Sequence, residues 1–494
     1  MWLTQLLERN RQCRPGRTAL VDEERSVTWA EFHDRTLELA RGLAELGIER
    51  GDRVAVLSKD RIEVLESYFA LARLGALFVP LNHSLAEPEV AGIIERVGAV
   101  AVIGESELLD RHPELPASVR IRLALDKPAF EALGTLAAER DLPEVADTDP
   151  IAVLHTSATT GQAKGVTVDS GSFRAIALGW LVMARPTDDI VMVNCCPLYH
   201  GSMVVSLTYL AAGATVVLMP GFTPQRALTA VERHRATHMW LVPQMLRFML
   251  QAKASHRTDL SCLREILYGA APMPLDVYAD AVERLGCGFR QVYGMTEVGG
   301  PFVTLGPDEH PAPGDVTARI PCGRVVPGMS ARAVDGGGRE LPPGEIGEIV
   351  VRGPGVMRGY WNDPQATREI TLDGWIRTGD LGFLDDEGRI SLVDRTKDVI
   401  IRAGQNVYPS EIERALLTHP AVRDAAVVGM PDEDYGEVPL AYVVPEPGAD
   451  PGAAALLGHV KGLLAPYKWP RRVEFIEQVP RNPAGKIVKK LLRA

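Results

Sequence analysis

The sequence predicts an α/β protein. It should have a large N-terminal domain of α/β subdomains with mainly parallel sheets, a small β-rich subdomain, and a small α+β C-terminal domain. Three observations predict it. Short aliphatic runs alternate with helical stretches from Arg53 to Tyr268, the order that gives parallel sheets covered by helices. Around Gly336 the composition turns to Gly and Pro between short alternating strands, in GGGRELPPGEIGEIVVRGPGVMRGYW. After Asp394 comes a last compact stretch with a helix of its own.

In chain order, strands are expected at 53–57, 100–103, 151–155, 190–194, 215–219, 238–242 and 265–268. Several of these are near-continuous apolar runs, which suits strands buried on both faces. A helix is expected over 61–74, with Ile62, Leu65, Tyr68, Phe69 and Ala72 on one stripe. Near the C-terminus, Ser410 and Glu413 read as a capping box ahead of Ile412, Ala415 and Leu416. Strands at 425–428 and 440–444 follow. The expected domains are 1–393, with the β-rich part at roughly 320–393, and 394–494.

At 494 residues the chain is too long for one ordinary core. Its 46% hydrophobic and 24% charged residues are ordinary for a globular protein and exclude disorder. Lys and Arg number 53 against 64 Asp and Glu, a net charge of −11. That balance excludes general nucleic-acid or anionic-membrane binding, which need a positive field, but it permits a local phosphate site. The six cysteines form no C-x-x-C pair and join no His cluster, so neither a zinc site nor a disulfide framework is expected. Cys195 and Cys196 read as thiols in or beside a buried strand. The start carries charges where a signal peptide needs an apolar stretch, and the apolar run 68–81 is interrupted by Arg73. A cytoplasmic monomer or homodimer without a membrane span is expected.

The most informative stretch is HTSATTGQAKG, residues 155–165, directly after an expected strand. Thr156, Ser157, Thr159 and Thr160 supply donors, Gly161 and Gly165 let the backbone turn its N–H groups inward, and Lys164 adds a positive charge. Such a nest suits a polyphosphate, although a Ser/Thr-rich surface turn has the same composition. It is not the G-x-x-x-x-G-K-[ST] loop, whose spacing differs.

This loop resembles T-S-G-T-T-G-x-P-K-G of the adenylate-forming superfamily, which holds acyl-CoA synthetases, peptide-synthetase adenylation domains and luciferase. Further stretches match in the family's order: YGMTE at 293–297, TGD at 378–380, DRTKD at 394–398 running into GQNVYPSEIE at 404–413, and PRNPAGK at 480–486. The likeness is nearest to acyl-CoA synthetases.

The resemblance implies ATP, Mg²⁺ and CoA as cofactors and a ligase that makes an acyl-adenylate and then a thioester. Residues 156, 157, 159, 160, 161 and 164 would cradle phosphate. Gly269, Ala270 and Ala271 resemble the adenine-binding segment, with Tyr293, Gly294 and Met295 beside the nucleotide and Tyr293 able to stack on the ring. Thr296 would donate to the α-phosphate and Glu297 would help hold Mg²⁺, a hard cation that prefers oxygen. Asp380 matches the ribose-binding acid, and Arg395 would add a ribose or phosphate contact. Lys486 matches the lysine that contacts both substrate carboxylate and α-phosphate. Asp394 matches the hinge, and the loop around Gly404 would shape the thiol tunnel.

PLYHG at 197–201 resembles the family's acyl-pocket motif, so His200 is read as a gating residue, with a satisfied, partly buried histidine as the competing reading. No acid follows it to pair with an amino-acid ammonium. With Met203, Trp240, Val242, Gly269, Met295 and Val298 as the expected lining, a hydrophobic fatty, aryl or larger acid is implied. Lys468, Arg471 and Arg472 would meet the nucleotide end of CoA, or simply form a basic surface cluster. A carrier-protein phosphopantetheine is the other acceptor. Ala158 and Ala163 replace the family's Gly and Pro, and a Cβ near a phosphate or at positive φ costs on the order of a kcal/mol. Alternatives are therefore an enzyme that mainly thioesterifies a preformed acyl-adenylate, or a non-catalytic acyl-nucleotide binder.

Overall fold

The computed structural model describes residues 1–136, 141–156, 163–199, 201–315, 319–481 and 487–493. By packing, the chain forms two compact units. One takes the described residues of 1–158, 162–330 and 352–371, and the other those of 331–351 and 372–494. Residues 352–371 join the first unit, where Gly359–Tyr360 pairs with Gly165–Asp169.

The first unit holds two large sheets. A seven-stranded sheet runs Gly359–Tyr360, Gly165–Asp169, Pro150–His155, Leu77–Leu81, Arg53–Leu57, Ala101–Gly104, Ile121–Ala124. A nine-stranded sheet places Val191–Asn194 between Thr215–Leu218 and His238–Leu241, then continues through Glu265–Gly269, Gly288–Met295 and Gly300–Leu305. The seven strands expected from apolar runs are all present, to within one residue at either end. Their inner pairings are parallel. Toward an edge each sheet turns antiparallel, beginning where Pro150–His155 meets Gly165–Asp169 and where Gly288–Met295 meets Gly300–Leu305. An antiparallel pair needs only a short connection, whereas a parallel one needs a crossover. The two short connections are the hydroxyl-rich loop and the segment with Thr296 and Glu297.

The helix Ile62–Leu74 departs from the expected single apolar stripe, because all 13 of its residues are buried. Its aromatic side packs edge-on: Phe69 lies 5.3 Å from Phe32 and Tyr68 lies 5.1 Å from Phe78 between ring centroids. Its two glutamates are neutralised inside the protein. Glu63 accepts from Arg25 and Arg61 at 2.9 Å, and Glu66 accepts from Arg35 Nε at 2.6 Å. Gly75, at φ +69°, ends the helix in the left-handed conformation that glycine adopts without strain.

In the second unit, Gly347–Arg352, Trp375–Leu384 and Ile390–Arg395 form part of one antiparallel sheet. A second sheet centres on Val422–Asp432 and Gly436–Pro445, both longer than expected because they pair along their whole length. The predicted capping box is absent. The helix Pro409–Leu417 begins after Tyr408 with no side-chain cap. Ser410 Oγ instead donates to Val393 O, and Glu413 is drawn away to Val427 N–H at 2.8 Å and Lys489 Nζ at 2.9 Å. Pro409, lacking an N–H at the first helical position, reduces the need for a cap.

Among the described residues no helix is long and apolar enough to cross a membrane. All six cysteines are free, and burial pushes the Cys195 thiol up to about 12, as expected of an inert core thiol.

Candidate active site

The hydroxyl-rich loop is the turn of the hairpin Pro150–His155 and Gly165–Asp169. Its neck is closed by two bonds: Thr156 N–H donates to Lys164 O at 3.1 Å, and Lys164 N–H donates to Thr156 Oγ1 at 3.3 Å. Thr156, expected as a phosphate donor, thus also shapes the loop. Gly165 serves packing: its φ is not positive, and a Cβ there would lie 2.8 Å from Val153 Cγ1. Ser157, Ala158, Thr159, Thr160 and Gly161 lie outside the described residues.

Lys164 and Glu297 meet through a residue the motif search did not single out. Lys164 Nζ stands 4.8 Å over the ring of Tyr360, and the Tyr360 hydroxyl donates to Glu297 Oε1 at 2.8 Å. Burial first, and the Glu297 charge second, hold the Tyr360 phenol well above its ordinary range, so it stays a donor. The only sequence trace of this role was GYW at the end of the Gly-rich stretch. Glu297 lies in the turn Thr296–Val298, fixed by Met357 N–H donating to Glu297 O at 2.9 Å. Among the described residues no three His, Cys, Asp or Glu side chains gather into a metal cage. One carboxylate joined through Tyr360 to a lysine fits Mg²⁺, which binds through one or two carboxylates together with substrate phosphates and water. Tyr360→Phe removes a hydrogen bond to a charged group, worth about 1.5–3 kcal/mol. We expect kcat/KM for ATP to fall about tenfold or more with KM for the acid nearly unchanged, measured by steady-state kinetics at varied ATP; equal KM changes for both substrates would contradict it.

The adenine-like segment lies where Glu265–Gly269 ends. A Cβ on Gly269 would lie 2.4 Å from Val292 O and 3.2 Å from Trp240 Cη2, so glycine is what lets the indole approach. Ala270 is exposed at φ +65°, a left-handed alanine whose strain costs on the order of 1 kcal/mol. Tyr293 packs 5.3 Å from Phe302 between centroids. Gly294 is demanded by packing, since a Cβ would sit 2.3 Å from Gly300 O. Met295 ends that strand.

Of the expected acyl lining, the structure brings Trp240 against Gly269. Met203 and Val298 are buried on separate elements, and Val242 is half-buried where Pro243–Gln251 starts. His200 is outside the described residues; residues 195–198 before it are tied down by backbone bonds. Cys195 N–H donates to Trp240 O at 3.0 Å, Cys196 N–H to Asn194 Oδ1 at 3.0 Å, and Leu198 N–H to Asp60 Oδ1 at 2.9 Å. Asp60 was also missed from sequence. It is buried, and burial pushes its carboxyl up to about 8, so it is largely neutral at pH 7.

In the second unit, Asp380 and Arg395 face each other across adjacent strands and pair, Oδ1 to Nε, at 2.8 Å. Gly379 has φ +70° and Gly404 +79°, both turn positions suited to glycine. Asp394 accepts from Arg395 N–H at 2.8 Å and Ser410 N–H at 2.9 Å. Of the three basic residues considered for CoA, Lys468 pairs with Glu411 at 2.7 Å and Arg472 with Glu474 at 2.8 Å. Lys486 lies outside the described residues.

Burial holds His155, at the hairpin neck, down to about 4, helped by the Arg96 charge. Burial likewise lowers His33, His83, His112, His234, His238 and His310. Unfolded imidazoles protonate near 6.5, so between about 6.5 and 4 the unfolded chain binds more protons. Stability is therefore present above about pH 6.5 and lost as pH falls toward 4, by up to about 3 kcal/mol for His155 alone. Urea midpoints from pH 7.5 to 5 should fall, and less steeply in His155→Gln; parallel curves would contradict the assignment.

Residues 7–361 match the AMP-binding enzyme family and residues 411–486 the AMP-binding enzyme C-terminal domain. The chain is 36% identical to the fatty acid–[acyl-carrier-protein] ligase ScoC of Streptomyces coeruleorubidus over 99% of this chain and 96% of that protein. It is 37% identical to a feruloyl-CoA synthase of Amycolatopsis over 97% and 96%. Among solved structures, ATP-bound MatB from Rhodopseudomonas palustris superposes with a TM-score of 0.91 at 31% identity, covering 99% of this chain and 98% of that one. By these matches the chain belongs to the AMP-binding enzyme family, the adenylate-forming superfamily, as an ATP-dependent acid–thiol ligase.

Proposed function

We propose that the protein activates a hydrophobic carboxylic acid with ATP and passes the acyl group to the thiol of CoA, acting in the cytoplasm as a monomer or homodimer. A carboxylate is a poor electrophile. Its oxygen attacks the α-phosphate, pyrophosphate leaves, and the thiol sulfur then attacks the acyl carbon and expels AMP. Negative charge builds on phosphate oxygens in the first step, so fixed cations and donors accelerate it. Lys164 and the hydroxyl loop hold phosphate, Thr296 donates to the α-phosphate, and Lys486 meets both reacting groups. Glu297, oriented by Tyr360, would hold Mg²⁺, which offsets phosphate charge when bound. Asp380 and Arg395 take the ribose. The loop at Gly404 serves the thiol step, with Asp394 as hinge.

The observation that carries this reading is the Lys164–Tyr360–Glu297 arrangement, which links a phosphate-loop cation to a metal-binding acid. Buried Trp240, Met203 and Val298 support an apolar acyl group. The test is ATP–pyrophosphate exchange with a panel of aryl and fatty acids, followed by AMP release with and without CoA. We expect exchange with at least one hydrophobic acid and CoA-dependent AMP release. Exchange with none, despite thioester formation from supplied acyl-adenylates, would replace the proposal with a thioesterifying enzyme; neither activity would make it a binder.

A further inference from the structure

We infer that Asp60 is a positioning residue for the acyl acid: its carboxyl fixes residues 195–199 beside the strand end that carries Trp240, so that binding of the acid depends on Asp60 and binding of ATP does not. The inference rests on the reading of Trp240 and Met203 as acyl lining.

Asp60 follows the strand Arg53–Leu57 of the seven-stranded sheet, whereas residues 195–199 follow Val191–Asn194 of the nine-stranded sheet. Four bonds hold that segment. Cys195 N–H donates to Trp240 O at 3.0 Å, Cys196 N–H to Asn194 Oδ1 at 3.0 Å, and Leu198 N–H to Asp60 Oδ1 at 2.9 Å. Ser202 Oγ donates to Pro197 O. Asn194 in turn donates to Ser206 Oγ at 3.1 Å, and Ser202 and Ser206 belong to the helix Ser202–Ala212 that carries Met203. Of the four bonds, the one to Asp60 reaches the other sheet. Tyr199 adds an edge-on ring contact with His83 at 5.8 Å. One carboxyl thus joins the turn before the helix Ile62–Leu74 to the two elements that present Trp240 and Met203.

Asp60 is 6% exposed and Leu198 2%. The neighbouring cations are engaged elsewhere. Arg61 donates to Glu63 at 2.9 Å and Glu24 at 3.1 Å, and Lys59 Nζ lies 4.0 Å from Glu107. Glu105 accepts from Ser58 Oγ and Lys59 N–H at 3.0 and 2.7 Å. Burial without a partner charge keeps the Asp60 carboxyl neutral up to about pH 8. On the segment facing it, burial pushes the Cys196 thiol and the Tyr199 phenol far up, and it lowers His83, so these three stay neutral near that pH. As pH rises through about 8, a carboxylate forms with no cation beside it, and it gains hydration only if the segment bonded to it yields. Acid affinity is therefore present below about pH 8 and lost above it.

The variants are Asp60→Asn, which keeps the acceptor and cannot ionise, and Asp60→Leu, which removes the acceptor and leaves a buried N–H unpaired. ATP–pyrophosphate exchange is measured with benzoate, cinnamate and decanoate at pH 7 and 9; it contains no thiol whose titration could enter. In the parent we expect KM for the acid to rise about tenfold between pH 7 and 9, as the competent fraction falls. Asp60→Asn should match the parent at pH 7 and stay flat to pH 9. Asp60→Leu should raise KM for the acid about tenfold at pH 7, with kcat and KM for ATP within about twofold. Amide hydrogen exchange of the peptide spanning 195–199, corrected for intrinsic rates, reads the tether without activity. Protection should fall in Asp60→Leu and in the parent at pH 9, and persist in Asp60→Asn at both pH values. An alkaline rise in Asp60→Asn equal to the parent's, equal KM changes for acid and ATP in Asp60→Leu, or protection unaltered by Asp60→Leu would overturn the inference. Exchange by the parent with none of the acids is instead a failure of the functional reading, and protection of 195–199 then shows separately whether Asp60 holds the segment.

Discussion

Lys486→Ala is expected to lower ATP–pyrophosphate exchange by about 10²- to 10³-fold or more, the scale of removing a preorganised donor from a developing oxyanion. Thioester formation from supplied acyl-adenylate should change less than about twofold. The asymmetry follows from the charge movement: adenylation concentrates negative charge at the α-phosphate, while the thiol step attacks a carbon already activated. Lys486→Arg should not restore exchange fully, because a planar fork cannot place its charge as a compact ammonium does. Single-turnover assays of each half-reaction check it, and an equal loss in both would contradict the assignment.

Glu66→Ala should produce the largest loss of stability. Glu66 is 1% exposed and accepts from Arg35 Nε at 2.6 Å, Arg35 Nη2 at 3.2 Å and Arg25 Nη2 at 3.3 Å. Removing one partner of a buried pair costs about 3–5 kcal/mol, because the other charge is left uncompensated. The lower end is expected, since Arg25 keeps Glu63 and both guanidinium side chains are partly exposed. The urea midpoint should drop by the equivalent of about 3 kcal/mol at unchanged slope. A midpoint within error of the parent would show that the arginines find new acceptors.

Much of this protein was legible before any coordinates. Strands such as Arg53–Leu57 and Glu265–Gly269 are short apolar runs with no polar face, and their composition alone marks them as covered on both sides. The site motifs were legible for a different reason: phosphate and Mg²⁺ chemistry needs particular residue types at fixed spacing, and order along the chain preserves it. The helix Ile62–Leu74 shows the limit. Its apolar stripe was visible, but nothing along the segment showed that Glu63, Glu66 and Arg73 are buried too.

Sequence by itself determined the alternation of strands and helices, the adenylate-forming motifs and the absence of an acid beside the acyl-pocket motif. Only the tertiary structure decided that Tyr360 joins Lys164 to Glu297, that Asp60 holds the loop at Leu198, and that Glu413 grips Lys489 instead of capping its own helix. Local pattern encodes what a residue prefers along its own segment. A carboxylate's partner is chosen by whichever donor folding brings within about 3 Å, and those donors lie from 63 to 138 residues away in the first two cases.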